Sequence, residues 1–256
     1  MKNQQHFVLV HGACHGAWCW YKVETLLKSA GHRVTSFDMV SCGINAKPAK
    51  EVHSDSEMYQ PLTSFLESLP VDDKVILVGH SAAGIAISMA MEYYTDKIFV
   101  AVFIAARMPG PRLSSADIGK EAAKGQKRPY MDNQFHYDDG PEKPPTSFSY
   151  GPIFLSIYLY QLCSSEDLTL ATKLLRPASL YNSTDPTLTD EKYGSVNRAY
   201  IITGEDKIWG EDVQRFMIRY NPPGFVKEIK DSGHMVMLSK SQDLYVTLQQ
   251  IVETFS

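Results

Sequence analysis

The residues best suited by type and spacing to do chemistry fall in three short stretches. The first is the run 74–84, KVILVGHSAAG, where an apolar segment meets Gly79, His80 and Ser81 and then a series of small residues. A strand that turns sharply into a helix at a serine presents the hydroxyl at the end of a sheet, which is the context of a nucleophile elbow. Such a turn leaves room only for small neighbours two positions to either side. Gly79 and Ala83 meet that need, although a glycine is usual where Ala83 stands and its methyl is expected to crowd the turn.

A serine hydroxyl is a weak nucleophile. It needs an imidazole as general base and a carboxylate to fix the tautomer of that imidazole. Of the eight histidines, His234 is the best base, because the stretch 231–235, DSGHM, follows the apolar segment 225–229 and can reach the elbow. His80 is expected to pack beneath the serine, and His11 and His15 belong to an earlier loop. Asp206 closes the stretch 199–206, AYIITGED, and is the preferred acid, with Glu205 as its competitor. Asp212 is expected to begin the next helix, and Asp231 is too near His234 in sequence to approach the ring easily.

The oxyanion formed on acyl transfer requires preorganised N–H donors, normally from the residue after the nucleophile and from the loop after the first core strand. Ala82 is the first candidate. The loop 10–16, VHGACHG, offers Ala13 as the second, with Gly12 letting the backbone approach the ester; a plain glycine turn is the alternative reading.

These side chains must be held by a sheet. Short runs rich in apolar and β-branched residues at 7–10, 33–37, 74–78, 99–104, 199–202 and 225–229 alternate with longer helical patterns, as in an α/β domain with a mostly parallel sheet buried under helices. Between about 108 and 182 the pattern changes to prolines set among Tyr, Phe and Leu. That stretch is too apolar for a linker and is expected to form a mainly helical cap over the C-terminal edge of the sheet, where ligands bind. Its aromatics Tyr130, Phe135, Phe148, Phe154, Tyr158 and Tyr160 could line a pocket or pack the cap.

A chain of 256 residues with 44% hydrophobic residues can build one substantial core, so residues 1–256 read as a single domain. Twenty-five basic against 29 acidic residues give a net charge of −4 without long blocks of one sign, which argues against a nucleic-acid partner. The locally basic stretch 120–128 lacks interleaved aromatics and reads as a solvated helix end. The first apolar run is too short for a signal core or a membrane span. Four cysteines without the paired spacing of a zinc site read as reduced thiols, so no metal and no cofactor is expected and the location is cytoplasmic.

Taken together, 7–20 (FVLVHGACHGAWCW), 30–34 (AGHRV), 78–81 (VGHS), 108–110 (MPG) and 234–238 (HMVML) resemble the plant methylesterase and hydroxynitrile lyase branch of the α/β-hydrolases. The resemblance spans nearly the whole chain. Through 41–45 (SCGIN), 193–196 (YGSV) and 221–223 (NPP) it is nearest to esterases of alkaloid metabolism. It implies an α/β-hydrolase fold and cleavage of a small methyl ester, of a monoterpenoid indole alkaloid, with decarboxylation to follow where the freed acid is β to a carbonyl. Gly12, His15, Arg107 and Met235 would then contact the substrate. The lyase members carry a threonine and a lysine where this chain has Ala13 and Met235, which favours the esterase over the alternative lyase. A ligand receptor with slow hydrolysis is a further alternative, and a homodimer is left open. Arg107 stands where an apolar residue is usual; it could face the pocket or lie on the surface at the base of the cap.

Overall fold

The computed structural model describes residues 4–124, 130–181 and 185–256. Among these, β1 (His6–Val10), β2 (Arg33–Ser36), β3 (Val75–His80), β4 (Ile98–Ile104), β8 (Arg198–Thr203) and β9 (Phe225–Ile229) form one sheet in the order β2-β1-β3-β4-β8-β9, every pair parallel. Three shorter strands, β5 (Gln134–His136), β6 (Ser147–Ser149) and β7 (Ala178–Ser179), form a separate antiparallel sheet.

The apolar runs of the central strands follow from burial on both faces. Successive side chains of a strand point to opposite faces. In β1, Val8 and Val10 enter one apolar cluster while Phe7 and Leu9 enter the other; in β4, Ala101 and Phe103 oppose Val100, Val102 and Ile104. Each such fully buried aliphatic or aromatic side chain stabilises the fold by about 1.5–3 kcal/mol. Edge strand β2 is covered less completely, and its sequence RVTS is correspondingly less apolar.

Helices cover the two faces through residues three to four apart. Tyr21–Ser29 contributes Val23 and Leu27, and Ser241–Phe255 contributes Leu244, Leu248 and Ile251, to one cluster. Gln60–Ser68, Ala83–Tyr93 and Glu211–Tyr220 cover the other through Leu62, Leu66, Ala86, Ile87, Ala90, Val213 and Met217. The chain leaving β1 therefore crosses to one face and the chain leaving β3 to the other. Between the carboxyl ends of these neighbouring strands lies the crevice where open α/β sheets bind ligands.

The insertion between β4 and β8 contains the helices Ser115–Lys124 and Ser165–Leu174 and the π-helical turn Leu155–Leu159. Its small antiparallel sheet has no counterpart in the expectation of a mainly helical cap, because strands of two or three residues are too short to display alternation. Ring contacts run without a break from Tyr130 through Phe135, Phe148, Tyr150 and Phe154 to Tyr158, with centroids 4.9–6.3 Å apart. The Arg176 guanidinium ties the insertion to the loop after β2 by donating to the Gly43 and Asn45 carbonyls. Of the basic stretch, 120–124 end an exposed helix in which Lys120 pairs with Asp117 and Lys124 with Glu121; positions 125–128, Pro129 and the cap boundary Asn182 lie outside the described residues.

Candidate functional site

Strand β3 continues through His80, so the chain turns at Ser81 itself, whose φ of +57° lies in the left-handed region. For a residue with a Cβ this conformation costs about 1–2 kcal/mol and persists only where its surroundings enforce it. Here the Ser81 amide donates to the Ile104 carbonyl (3.2 Å), while the Ser81 carbonyl accepts from the Arg107 and Gly84 amides (3.1 and 3.2 Å). A Cβ on Gly79 would lie 2.9 Å from Ile87 Cγ2, and one on Gly84 only 1.8 Å from the Arg107 carbonyl oxygen. The close approach that demands glycine thus falls at position 84, one residue beyond the position expected, and the Ala83 methyl is taken up by the core cluster.

Asp206 lies after β8 and His234 after β9, and their loops are joined by hydrogen bonds from the Gly204 amide to the Ile229 carbonyl (3.3 Å) and from the Glu205 amide to the Ser232 carbonyl (2.9 Å). The His234 Nδ1 lies 2.8 Å from Asp206 Oδ2, and its Nε2 lies 2.9 Å from Ser81 Oγ. Asp206 Oδ2 also accepts from the Thr203 hydroxyl (2.9 Å), and Oδ1 from the Ile208 and Trp209 amides (2.7 and 2.9 Å). With every contact of the carboxylate made as an acceptor, Nδ1–H is the donor and the bare Nε2 faces the serine. Glu205 is exposed and its side chain takes no part in this chain of contacts. His80 packs behind the base: its Nε2–H donates to the His234 carbonyl (2.9 Å), and burial holds its pKa well below the ordinary imidazole value.

The loop after β1 approaches so closely that a Cβ on Gly12 would lie 3.0 Å from Ser81 Cβ. Among the described residues, neither the Ala13 nor the Ala82 amide donates to a protein acceptor, and both residues line the same cavity as Ser81. His11 orients this loop, its Nδ1–H donating to the Gly12 carbonyl (2.9 Å) and its Nε2 accepting from the Met39 amide (3.1 Å).

The cavity, about 360 Å³, falls in the range of small-molecule sites. Gly12 and Arg107 line it; His15 and Met235 do not. His15 stacks on Trp18 behind the loop, donating through Nδ1 to the Ala13 carbonyl (2.8 Å) and accepting at its ring edge from the Tyr160 hydroxyl (2.8 Å). Burial pushes its pKa down to about 3, so it stays neutral. Met235 is packed in the apolar cluster under the Tyr21–Ser29 face, a consequence of the turn that aims His234 at the serine. The expected substrate contacts at His15 and Met235 are therefore replaced by structural ones.

Of the six cap aromatics named from sequence, Phe148 alone lines the cavity. Phe154, Tyr158 and Tyr160 pack, and Tyr130 and Phe135 are exposed. The insertion's wall of the cavity comes from β6, β7 and the residues next to them: Phe148, Tyr150, Ala178 and Tyr181. Asp55 and Tyr59 complete the far side, and nothing in their local sequence signals it. Among the described residues no group of three His, Cys, Asp or Glu side chains could hold a metal ion, and no helix is long and apolar enough to cross a membrane.

Comparison with known proteins adds an independent line. Residues 7–247 match the alpha/beta hydrolase family. Methyl jasmonate esterase 1 of Vitis vinifera is 48% identical, over 100% of this chain and 99% of that protein. Polyneuridine aldehyde esterase of Rauvolfia serpentina is 42% identical over 99% and 97%. The crystal structure of a variant of tomato methylketone synthase I, complexed with beta-ketoheptanoate, superposes with a TM-score of 0.93 at 43% identity and full coverage of both chains.

Proposed function

The chain belongs to the alpha/beta hydrolase family, in its plant methylesterase branch, and from that premise we propose that it is a serine carboxylesterase acting on a small methyl ester. The observation that carries the reading is the unbroken contact from Ser81 Oγ through His234 to Asp206, at 2.9 and 2.8 Å. In this mechanism His234 Nε2 takes the Ser81 proton as Oγ attacks the ester carbonyl. The Ala13 and Ala82 amides receive the oxyanion. Collapse breaks the bond to the methoxy oxygen, which leaves as methanol with the proton from His234. Water then attacks the acyl carbonyl while giving a proton to His234, which passes it to Ser81 Oγ as the bond to the acyl carbon breaks and the acid leaves. Asp206 keeps Nδ1 protonated throughout.

The acyl part we favour is compact and largely apolar, with a carbonyl near the ester, as in an alkaloid aldehyde ester. If the freed carboxylate is β to that carbonyl, loss of CO₂ follows. This assignment draws on the resemblance to alkaloid esterases and on the name of one relative, polyneuridine aldehyde esterase. The insertion serves as a cap over the site. A cytosolic enzyme is the reading that suits four free cysteines, of which burial pushes Cys42 and Cys163 up to about 12.

The test measures methanol and cyanide side by side, from a panel of methyl esters and from mandelonitrile. Methanol release without cyanide is the expected result. Cyanohydrin cleavage needs a cation for the departing cyanide, and the lysine that supplies it directly after the base in the lyases is replaced here by a buried, neutral methionine, the cation left on the cavity wall being Arg107 over Trp209. Cyanide release with no methanol from any ester would overturn the esterase.

A further inference from the structure

Arg107 combines three features that the esterase mechanism does not use. Its backbone is built into the elbow, the amide donating to the Ser81 carbonyl at 3.1 Å and the carbonyl lying against Gly84. Its side chain lines the cavity with Ser81 and Ala82. Its guanidinium makes no hydrogen bond or ion pair with any described residue; it lies instead over the face of Trp209, 5.5 Å from the ring centroid.

A guanidinium carries five N–H donors in a planar fork. Arginines within folds commonly spend those donors on carbonyls or carboxylates, as Arg176 and Arg215 do in this protein. Arg107 is instead half-buried and lies over Trp209, a residue whose own amide is fixed by Asp206. The fork thus lies on the wall of the cavity that holds Ser81, with no described residue accepting from its donors. Its charge reaches across the cavity, where it partly offsets the burial that raises the pKa of the Tyr59 hydroxyl. Asp55, the other charged residue on the cavity wall, accepts from the Tyr181 hydroxyl at 2.9 Å.

We infer that Arg107 is a specificity-determining residue, which receives an acceptor oxygen group, a carboxylate or a ketone carbonyl, carried on the acyl part a few bonds from the ester. The inference rests on the reading of Ser81 as the acylated residue and deepens it: the preferred substrate is an ester with a second oxygen function rather than a plain alkyl ester. A carboxylate would engage the fork through two parallel hydrogen bonds, a ketone through one.

Three methyl esters of matched length separate these cases: monomethyl succinate, methyl levulinate and methyl pentanoate, which carry a carboxylate, a ketone and a methylene group at the same position. Wild-type kcat/KM is expected to favour an oxygen-bearing ester over the pentanoate by about ten- to hundredfold, the range of a hydrogen bond to a charged group. Arg107→Leu should collapse that ratio to near one, chiefly through KM, because the contact is equally present before and during acyl transfer. Arg107→Lys should keep part of the ratio for the succinate ester, since it retains charge without the fork. Which of the two oxygen esters leads tells whether charge or a single hydrogen bond dominates. A wild-type ratio of one, or a ratio that survives in Arg107→Leu, would overturn the inference. Calorimetric binding of the same three esters to Ser81→Ala, with and without Arg107→Leu, reads the preference without turnover. If no ester is hydrolysed and Arg107 still governs that binding, the esterase reading falls and only the assignment of Arg107 as the acceptor-binding residue of the cavity stands.

Discussion

The two walls of the cavity are made by different means. On the sheet side, Ser81 and Ala13, with His234 and Asp206 buried behind them, stand on loops at the carboxyl ends of β3, β1, β9 and β8, and each loop is fixed by hydrogen bonds to its neighbours. On the insertion side, Phe148, Tyr150 and Tyr181 are placed by ring packing and by strands of two or three residues. The first wall is set by the register of a parallel sheet, which admits few alternatives. The second is set by side-chain contacts, which can be re-formed with other residues. Chemistry that needs placement to within a few tenths of an ångström belongs on the first wall, which also carries Arg107 just after β4, while the second shapes the pocket around the acyl part.

The hardest blow to the sheet wall is Ser81→Ala. If the relay acts as a unit, this change should lower kcat by about three to six orders of magnitude, leaving only what binding and the oxyanion donors supply. The variant should fold normally, because the alanine keeps the Cβ and the strained φ already tolerated at this position. Retention of more than about a tenth of wild-type turnover would move the chemistry off this wall altogether.

A smaller effect sharpens the assignment within that wall. Asp206→Asn should cost about four orders of magnitude in kcat, since an amide can present its NH₂ to Nδ1 and leave the imidazole in the wrong tautomer. Glu205→Gln, one residue away and exposed, should stay within about twofold, as surface substitutions generally do. Steady-state hydrolysis of one methyl ester by both variants decides it, and the reverse order would exchange the two residues.

The same division explains what can be read from sequence. The central strands β1, β3, β4 and β8 are visible because burial on both faces demands apolar runs, the edge strands β2 and β9 less sharply because polar residues interrupt them, and the elbow because its turn demands small residues around Ser81. The small sheet is invisible: Gln134–His136 and Ser147–Ser149 are too short to alternate detectably, and they pair only because the chain doubles back. Arg107 stands out as unusual, yet its direction depends on Trp209, a residue distant along the chain that no local pattern links to it. His15 and Met235 adjoin the expected site in sequence, but the turns that aim Ala13 and His234 inward turn these two neighbours away. Adjacency along a loop does not amount to adjacency in a pocket.

The division is weakest at Tyr160, where the two walls touch. This residue belongs to the insertion, yet its hydroxyl donates to His15 Nε2, and His15 Nδ1–H in turn holds the Ala13 carbonyl. The amide proposed to receive the oxyanion is thus steadied through a side chain that never meets the substrate. Tyr160→Phe removes the hydroxyl and leaves Nε2 of a fully buried, neutral imidazole without a partner, which costs about 1–3 kcal/mol. Part of that cost should appear as slack in the loop. An oxyanion contact is made only in the transition state, so kcat should fall about three- to tenfold while KM stays within about twofold. A purely structural tyrosine would lower the melting temperature and leave kcat of the folded protein alone. Measuring kcat and KM well below the melting transition separates the two outcomes, and an unchanged kcat would restore a strict division between a sheet wall that reacts and an insertion wall that only shapes the pocket.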